Sequence, residues 1–303
     1  MPEKYQFAVE KSDSNPKDYF LSGLTPLSEG TYWDFCLYKK EKKKAWVTFF
    51  IDKNSKQAVS LPQLPFGGIW FQEKLHSEIL AYFIEESIQF LQKQGIQKIE
   101  ITQPPKPYQD NHDLIDYLLF KLGFVPHSLV AHQFFIGRKR IKKFLQKEEP
   151  KFYRRVKDGK LQVYSGPIQN FEFLNAIRAW NENRGYAVSL DESKLIGQVS
   201  EFPERYFLIS LEKNGKVIAH TLAVKLTENS IYYFQSAIHP NSPINHAGEI
   251  LLYYLFRLAD ELKVELIDLG SSDQPDSPNH SLMFFKSRFS NDISNKVTWV
   301  KTL

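Results

Sequence analysis

The sequence predicts a mixed α/β (α+β) protein built from two similar units. Its 303 residues are enough for about two domains. Strand-like and helix-like segments follow one another in the same order in each half, and such a long internal repeat is typical of a duplicated domain. With 42% hydrophobic and 24% charged residues, the chain has a globular composition, which excludes disorder as its main state.

The first half contains the core of the repeated order. Apolar patterning predicts a strand over 45–51 and a partner strand over 57–61. A loop then leads to a helix over 73–94, which Gly95 is expected to end. The half continues with a strand over 96–102, a helix over 113–122 and a strand region over 124–136.

The second half repeats this order with additions at its start. A strand is predicted over 161–165, and Gly166-Pro167 is expected to open a helix, with proline near its first turn. Asn214-Gly215 lies between two strand patterns and is a strong hairpin signal. Apolar residues of the helix after Gly166-Pro167 recur as far as Ala179. The other predicted elements are helices over 191–200, 247–262 and 281–288, and strands over 206–211, 216–226, 231–238, 264–269 and 296–301.

A basic segment lies between the halves. Residues 138–160 contain 11 Lys or Arg and 3 Asp or Glu, a local net charge of +8, whereas the whole chain carries only +4. The segment predicts either a landing surface for a phosphorylated partner or a helix whose cations simply face water. The remaining 280 residues carry a net charge of −4, so the total of +4 hides this local basic segment.

Several classes of protein are excluded by what the sequence lacks. Its one cysteine, Cys36, cannot support a disulfide framework or a multi-cysteine metal site. The chain has no signal-like apolar start and no apolar stretch of about 18 residues, so we expect no membrane span. These features predict a cytoplasmic protein in a reducing compartment.

Four short motifs, taken in order, resemble the GNAT-type acyltransferases and, in tandem, the FemABX-type peptidyltransferases. Each matches a helix end, a domain entry, a strand end or a helix signature of those families. They are Lys121-Leu122-Gly123-Phe124, Arg154-Arg155-Val156-Lys157 with Gly159 and Val163, Ile267-Asp268-Leu269-Gly270, and Phe285-Lys286-Ser287-Arg288-Phe289. The resemblance implies two GNAT-like domains, over 1–137 and 161–303, joined by a basic helix over 138–160.

The resemblance also implies where a reaction would occur. In the GNAT fold two parallel central strands separate and the acyl donor lies in the gap; the matching strands here are 231–238 and 264–269. Asp268 would orient or deprotonate an amine, and Lys286 would hold an anionic donor or stabilise negative charge. His220, on an apolar strand face, is a further catalytic candidate. The expected substrate-binding residues are Tyr233, Gln235, Ser236, Ser271, Ser272 and Arg288.

Each candidate also has a structural interpretation. Asp268 at a strand end can simply bond loop amides, and Lys286 can extend its ammonium to solvent from an aromatic helix. A lone histidine such as His220 is more often a satisfied core residue. The remaining histidines lack carboxylates at metal-ligand spacing, so we expect no metal.

The same resemblance places a coenzyme A pyrophosphate before the long helix of the second half. The corresponding residues are Asn245, His246, Ala247, Gly248 and Glu249, with Arg154 and Arg155 as basic candidates. Only one glycine remains in this stretch. Gly67-Gly68 in the first half is closer to an open backbone nest for an anion.

Three functions therefore remain open. The first is an N-acyltransferase that uses a coenzyme A thioester or, less readily, aminoacyl-tRNA. Its acceptor would be an amine on an amino sugar, an amino acid, a cell-wall precursor or a small metabolite. The second is a tRNA-dependent peptidyltransferase, which the basic segment favours. The third is a non-catalytic ligand- or partner-binding protein, which the reduced glycine content of the loop favours.

Overall fold

The computed structural model describes residues 4–12, 30–52, 54–62, 64–71, 74–183, 185, 191–274 and 277–303. The residue at which the sequence begins the first long helix, Glu73, lies outside them. Contacts divide the chain into two compact units. Among the described residues, unit 1 comprises 4–12, 30–131 and Ser294–Leu303, and unit 2 comprises His132–Ile293.

The helices and strands follow the predicted order, with three added strands, β1, β2 and β5, in the first half. The elements up to residue 136 are β1 (Gln6–Lys11), β2 (Gly30–Lys39), β3 (Lys42–Asp52), β4 (Gln57–Ser60), β5 (Trp70–Phe71), α1 (Ser77–Lys93), β6 (Lys98–Thr102), α2 (His112–Lys121) and β7 (Val125–Ile136). Those that follow are α3 (Arg138–Asp158), β8 (Leu161–Pro167), α4 (Phe173–Glu182), α5 (Glu192–Glu201), β9 (Tyr206–Lys213), β10 (Lys216–Thr227), β11 (Ser230–Ile238), α6 (Ala247–Glu261), β12 (Leu266–Ser271), α7 (His280–Ser287) and β13 (Asp292–Thr302).

Unit 1 is a sheet in the order β1-β2-β3-β4-β6-β13, with β5 paired to β3. The apolar face of α1, including Leu80 and Phe83, packs against sheet residues such as Phe35 and Phe49 in one buried cluster. Gly95 follows α1 at φ +79°, a left-handed conformation that glycine adopts without strain, as its expected helix-ending position requires.

Unit 2 is a sheet in the order β7-β12-β11-β10-β9-β8. The predicted hairpin joins β9 to β10 through Asn214 and Gly215, both at positive φ. Helix α6 buries apolar side chains such as Leu251 and Leu255 against this sheet. The basic segment is one helix, α3, which contributes Ile141 and Phe152 to the same buried cluster and exposes most of its cations.

Two strands contribute to both units. The His132–Ile136 part of β7 pairs antiparallel with β12, whereas the Thr298–Thr302 part of β13 pairs antiparallel with β6. The sequence placed the last strand in the second domain, yet Ser294–Leu303 groups with unit 1. Its partner is chosen by long-range pairing, which local periodicity does not encode.

One local expectation was wrong. Gly166-Pro167 does not open a helix; both residues belong to β8 and pair with β9, and α4 begins only at Phe173. Proline is tolerated at the end of this edge strand, because no further ladder bond is required of its nitrogen. Strands β1 and β2, which pair antiparallel at the edge of unit 1, were not predicted.

Among the described residues, each unit contains a pair of parallel strands that stay paired over three positions. In unit 2, β11 and β12 pair from Ser230–Leu266 to Tyr232–Asp268, and β11 continues to Ile238. In unit 1, β4 and β6 pair from Gln57–Lys98 to Val59–Glu100. We call the ends of these paired stretches the unit 2 fork and the unit 1 fork.

Candidate active site

The unit 2 fork brings together the residues that carry most of the predicted chemistry. Asp268 is the last residue of β12 that pairs with β11, and Ser271 ends the strand. On the other side, Tyr233 and Ser236 lie on β11 beyond the last pair. Helix α7 adds Lys286. The carboxyl ends of such strands are where ligands bind in open α/β sheets.

Lys286 is a buried cation in this fork, with only 4% of the residue exposed. Its Nζ donates to the backbone oxygen of Ser271 at 2.5 Å and lies 5.9 Å from the ring centroid of Tyr233. The ammonium therefore contacts groups from both separated strands. Burial lowers the pKa of Lys286 to about 8, against the opposing attraction of the Asp268 and Asp273 carboxylates.

Asp268 is more deeply buried, with 1% of the residue exposed, and its carboxylate has hydrogen-bond partners. Its Oδ1 accepts from the backbone N–H of Gly270 at 2.7 Å. The Nδ1 of His132, on β7, lies 3.2 Å from Oδ1 and 3.3 Å from Oδ2. A buried carboxylate is costly without hydrogen-bond partners, and the Gly270 amide and His132 supply them and hold it in place.

Tyr232 and Gly270 close one side of the fork. Tyr232 pairs with Asp268 across the strands, and burial together with the Asp268 charge raises the pKa of its phenol. Gly270 has φ +71°, and a Cβ there would lie 3.2 Å from the Tyr232 ring. Glycine thus allows the chain to turn back toward Asp268 while the tyrosine ring stays close.

Hydroxyl groups line the fork on the β11 side and after β12. Ser236 Oγ donates to the His220 backbone oxygen at 3.1 Å and accepts from Thr221 Oγ1 at 3.2 Å. Burial raises the pKa of Tyr233, while bonds to Ser236 and Thr221 act against it. Among the described residues, Ser272 Oγ is one of the few buried side-chain atoms with no hydrogen-bond partner, so it is free to bond a ligand.

The His220 ring makes its contacts with residues other than those of the fork. Its Nδ1 is 2.9 Å from Ser210 Oγ, and its ring stacks on Trp180 at 5.5 Å between centroids. Burial lowers the pKa of His220 to about 4, so the ring is neutral at pH 7. The arrangement is that of a satisfied core histidine. Gln235 lies on β11 opposite Leu222 of β10.

The start of α6 carries the residues predicted to hold a cofactor. Glu249, in the first turn, pairs with Arg155 through a very short contact, with Arg288 at 3.1 Å and with Lys151 at 3.9 Å. Burial acts to raise the pKa of Glu249, but these three cations hold it below its ordinary value. Burial and the nearby Arg155 lower the pKa of His246, which precedes the helix.

This helix start does not fit a pyrophosphate. Two of the cations proposed as ligand-binding residues, Arg155 and Arg288, are already engaged by the Glu249 carboxylate. A coenzyme A pyrophosphate placed there would face that negative charge. The other predicted cofactor-binding residues lie as follows. Ala247 is buried, and a Cβ on Gly248 would lie 3.3 Å from the Phe285 ring. Asn245 precedes the helix, and Arg154 is exposed on α3.

The proposed nest of the first half is closed. The N–H of Gly67 donates to the Thr102 oxygen at 3.0 Å, and that of Gly68 donates to Ser60 Oγ at 3.4 Å. The expectation of an open anion nest at Gly67-Gly68 was wrong, because these amides close the unit 1 fork. They also lie well before α1, which begins at Ser77.

His132 was missed from sequence, and it is the main addition to the site. Its strand was assigned to the first half, where nothing marks a lone histidine as functional. The alternation of His132 and Phe134 places them on one strand face, but pairing with Asp268 becomes visible only in the register of β7 and β12. Among the described residues, no group of three His, Cys, Asp or Glu side chains could hold a metal ion.

No helix in the described part of the chain is long and apolar enough to span a membrane. No protein-family model matches the sequence, and no curated protein matches it.

Solved structures resemble the chain along most of its length. FemX aligns with a TM-score of 0.64 at 12% identity, covering 91% of this chain and 89% of that one. A tandem GNAT protein from the clavulanic acid biosynthesis pathway aligns at 0.53 and 13%, covering 91% and 84%. L-PGS from Bacillus licheniformis aligns at 0.52 and 13%, covering 90% and 84%. The chain therefore has a tandem GNAT fold, like that of FemX, which confirms the predicted fold class.

Proposed function

We propose that the chain is an N-acyltransferase or aminoacyltransferase whose reaction takes place in the unit 2 fork. The observation that carries the proposal is the buried Lys286 ammonium, which contacts groups of both β11 and β12 where they separate. A buried cation is costly and is seldom retained for stability alone. The acyltransferase-like fold, shared with FemX and the tandem GNAT protein, agrees with this placement.

The proposed reaction is direct attack without a covalent enzyme intermediate. The nitrogen of a neutral amine attacks the carbonyl carbon of an ester or thioester donor, and the new N–C bond forms. The carbonyl oxygen becomes an oxyanion, and the C–O or C–S bond then breaks. The nitrogen loses a proton, and the leaving oxygen or sulfur gains one.

Lys286 would stabilise the oxyanion. Because its pKa is about 8, most of the lysine is protonated at pH 7 and supplies a positive charge within a buried, low-dielectric site. Ser272 Oγ, buried without a partner, would add a hydrogen bond to a substrate. Ser271, Ser236 and Tyr233 would line the acceptor site.

The acceptor we propose is an amine on a small molecule or a cell-wall precursor, and the donor is an acyl-coenzyme A or an aminoacyl-tRNA. A coenzyme A donor would have to bind elsewhere than at the start of α6, or displace Glu249 there.

The tRNA donor is the second candidate because α3 exposes most of its cations, including Arg154 and Lys157. If it is used, transfer should weaken steeply as salt increases.

The test begins with a screen of acyl-coenzyme A species and aminoacyl-tRNAs against amine acceptors, followed by mass spectrometry. With an active pair, Lys286→Met should lower kcat by about 100-fold or more. In the wild type, kcat should fall as pH rises through about 8, where the ammonium is lost.

Lys301→Met is the matched control. Lys301 in unit 1 also donates to a backbone oxygen, that of Leu122 at 2.8 Å, and also lies 5.9 Å from an aromatic ring, Phe124. It should leave kcat unchanged. Equal activity of Lys286→Met and wild type would refute the assignment of the reaction to this fork.

A further inference from the structure

His132 lies beside the unit 2 fork and was not among the predicted site residues. Only 2% of the residue is exposed, and its one hydrogen-bonding contact among the described residues is with Asp268. Burying an imidazole against a buried carboxylate costs free energy of folding. The pair is therefore a candidate for a chemical role.

The contact determines which nitrogen of the ring carries hydrogen. The ionised Asp268 carboxylate can only accept, so His132 Nδ1 must be the donor. In the neutral ring this leaves Nε2 with its lone pair, and no described residue hydrogen-bonds to Nε2. The Gly270 amide fixes the same carboxylate from a second direction, which holds the imidazole in one orientation.

The ring also lies next to the fork. His132 is directly opposite Ser271 in the β7–β12 ladder, and Ser271 is the residue whose backbone oxygen binds the Lys286 ammonium. A proton acceptor on β7 and a cation from α7 therefore converge on the end of the same strand, β12.

We propose that His132 is the general base of the transfer reaction, with Asp268 as the positioning residue that fixes its tautomer. This inference rests on the function proposed above. His132 Nε2 accepts the proton that the amine nitrogen releases as the N–C bond forms, and Asp268 stabilises the resulting imidazolium. The imidazolium then returns the proton to the leaving oxygen or sulfur as its bond to the acyl carbon breaks.

Among the described residues, few charged or titratable groups surround His132. Asp268 faces it from β12, and Tyr232 lies opposite Asp268 on β11. Lys286 on α7 is attracted both by the Asp268 carboxylate and by Asp273 in the loop before that helix. On its own strand, Phe134 stacks on the ring at 6.0 Å. Asp268 is therefore the charged group, among the described residues, that is in hydrogen-bond contact with His132.

The first test needs no substrate. Nitrogen-15 NMR of histidine-labelled protein should show His132 protonated at Nδ1 and bare at Nε2 near neutral pH. Asp268→Asn should change that tautomer ratio, whereas His220, which is bonded to Ser210, should keep its signals. Finding His132 protonated at Nε2 in the wild type would overturn the proposal whether or not transfer activity is found.

The second test uses the active donor and acceptor from the screen. His132→Asn places an amide where Nδ1 was and so keeps a donor to Asp268, but it removes the base. We expect kcat to fall by about 100-fold or more with KM little changed, and the acid limb of the kcat/KM profile to disappear.

The control for folding is the thermal unfolding midpoint of His132→Asn. His132→Gln, which places an amide near Nε2, serves as the second variant if the first is unstable. Loss of activity in Lys286→Met with an unchanged pH profile in a folded His132 variant would leave the fork assignment intact and refute the role of His132. Activity unchanged in both would refute the proposed function itself.

Discussion

The unit 1 fork and the unit 2 fork begin alike and are completed in opposite ways. Each follows three paired positions of two parallel strands. In unit 1 the opening is closed by neutral groups: Ser60 Oγ accepts from the Thr102 amide at 3.2 Å, and Gln103 Oε1 accepts from the Ile69 amide at 3.1 Å. In unit 2 it holds the charges of Lys286 and Asp268.

The difference shows that the fold provides an opening between two parallel strands in each unit. The side chains at that opening determine whether it is filled by neutral hydrogen-bonding groups or by charged groups. The unit 1 fork satisfies backbone amides with serine and glutamine, so that it adds stability and no reactive group. The unit 2 fork buries an ammonium and a carboxylate, which cost stability and are suited to chemistry. Variants that exchange these properties test the contrast.

The largest stability effect is expected for Gly68→Ala in unit 1. Gly68 has φ +82°, and a Cβ there would lie 2.4 Å from Pro104 Cδ and 2.8 Å from Gln103 Oε1. Backbone strain and overlap with a rigid ring should together cost about 4 kcal/mol. Gly270→Ala in unit 2 should cost about 2 kcal/mol, because its nearest contact is 3.2 Å. Urea denaturation measures both, and a reversed order would contradict the comparison.

The next effect is a pH dependence that belongs to Lys286. The pKa of Lys286 is lowered from 10.5 to about 8 in the folded protein, so between these pH values the unfolded chain binds more protons. Stability should therefore rise with pH across that window, by about 3 kcal/mol relative to Lys286→Met. Denaturation curves of both proteins at pH 7, 9 and 10.5 give the difference, in which other titrations cancel. A constant difference would show that the ammonium is not desolvated.

Part of the unit 2 fork could be predicted from the sequence. Asp268 and Lys286 could be singled out because one ends an apolar strand and the other interrupts a short aromatic helix. Their resemblance to family motifs also indicated that both residues belong to the expected site. The element order was also readable, because the apolar periodicity of α6 and the Asn214-Gly215 hairpin are local signals.

The rest of the site depended on contacts that local patterns do not encode. His132 is separated from Asp268 by 136 positions and meets it only through strand register. Glu249 was predicted to bind a cofactor. Its neighbours in the sequence give no sign of the ion pairs that it forms with Arg155 and Arg288. Gly67-Gly68 resembled an anion nest because sequence cannot show that Thr102 and Ser60 take up its amides.

A smaller loss of stability is expected for Gln103→Leu. Gln103 is fully buried, its Nε2 donates to Gln109 Oε1 at 2.7 Å, and its removal leaves that oxygen and the Ile69 amide without this partner. The cost should be about 2 kcal/mol, with kcat unchanged. Gln133→Leu in unit 2 is the matched comparison, since Gln133 Oε1 already lacks a partner. If Gln133→Leu proved the more damaging variant, the unit 1 fork would not be the stabilising one.

The smallest effect is expected for Glu249→Gln. The glutamine keeps the shape of the side chain but loses the charge that links Arg155, Arg288 and Lys151. Half-buried networks of this kind contribute about 1 kcal/mol, and the loss should shrink in 1 M salt. Asp113→Asn in unit 1, which removes the exposed pair with Lys106, should change the unfolding midpoint very little.

The shared strands have a consequence for synthesis on the ribosome. Residues 294–303 complete the unit 1 sheet beside β6, and Trp299 Nε1 bonds Asp116 on α2 at 2.7 Å, but they are translated after all of unit 2. At about 5–20 residues per second, the nascent first unit waits roughly 10–30 s for that strand. During this interval the edge of β6 lacks its partner strand, so the unit that is made first is completed last. An exposed strand edge of this kind is a site that chaperones bind.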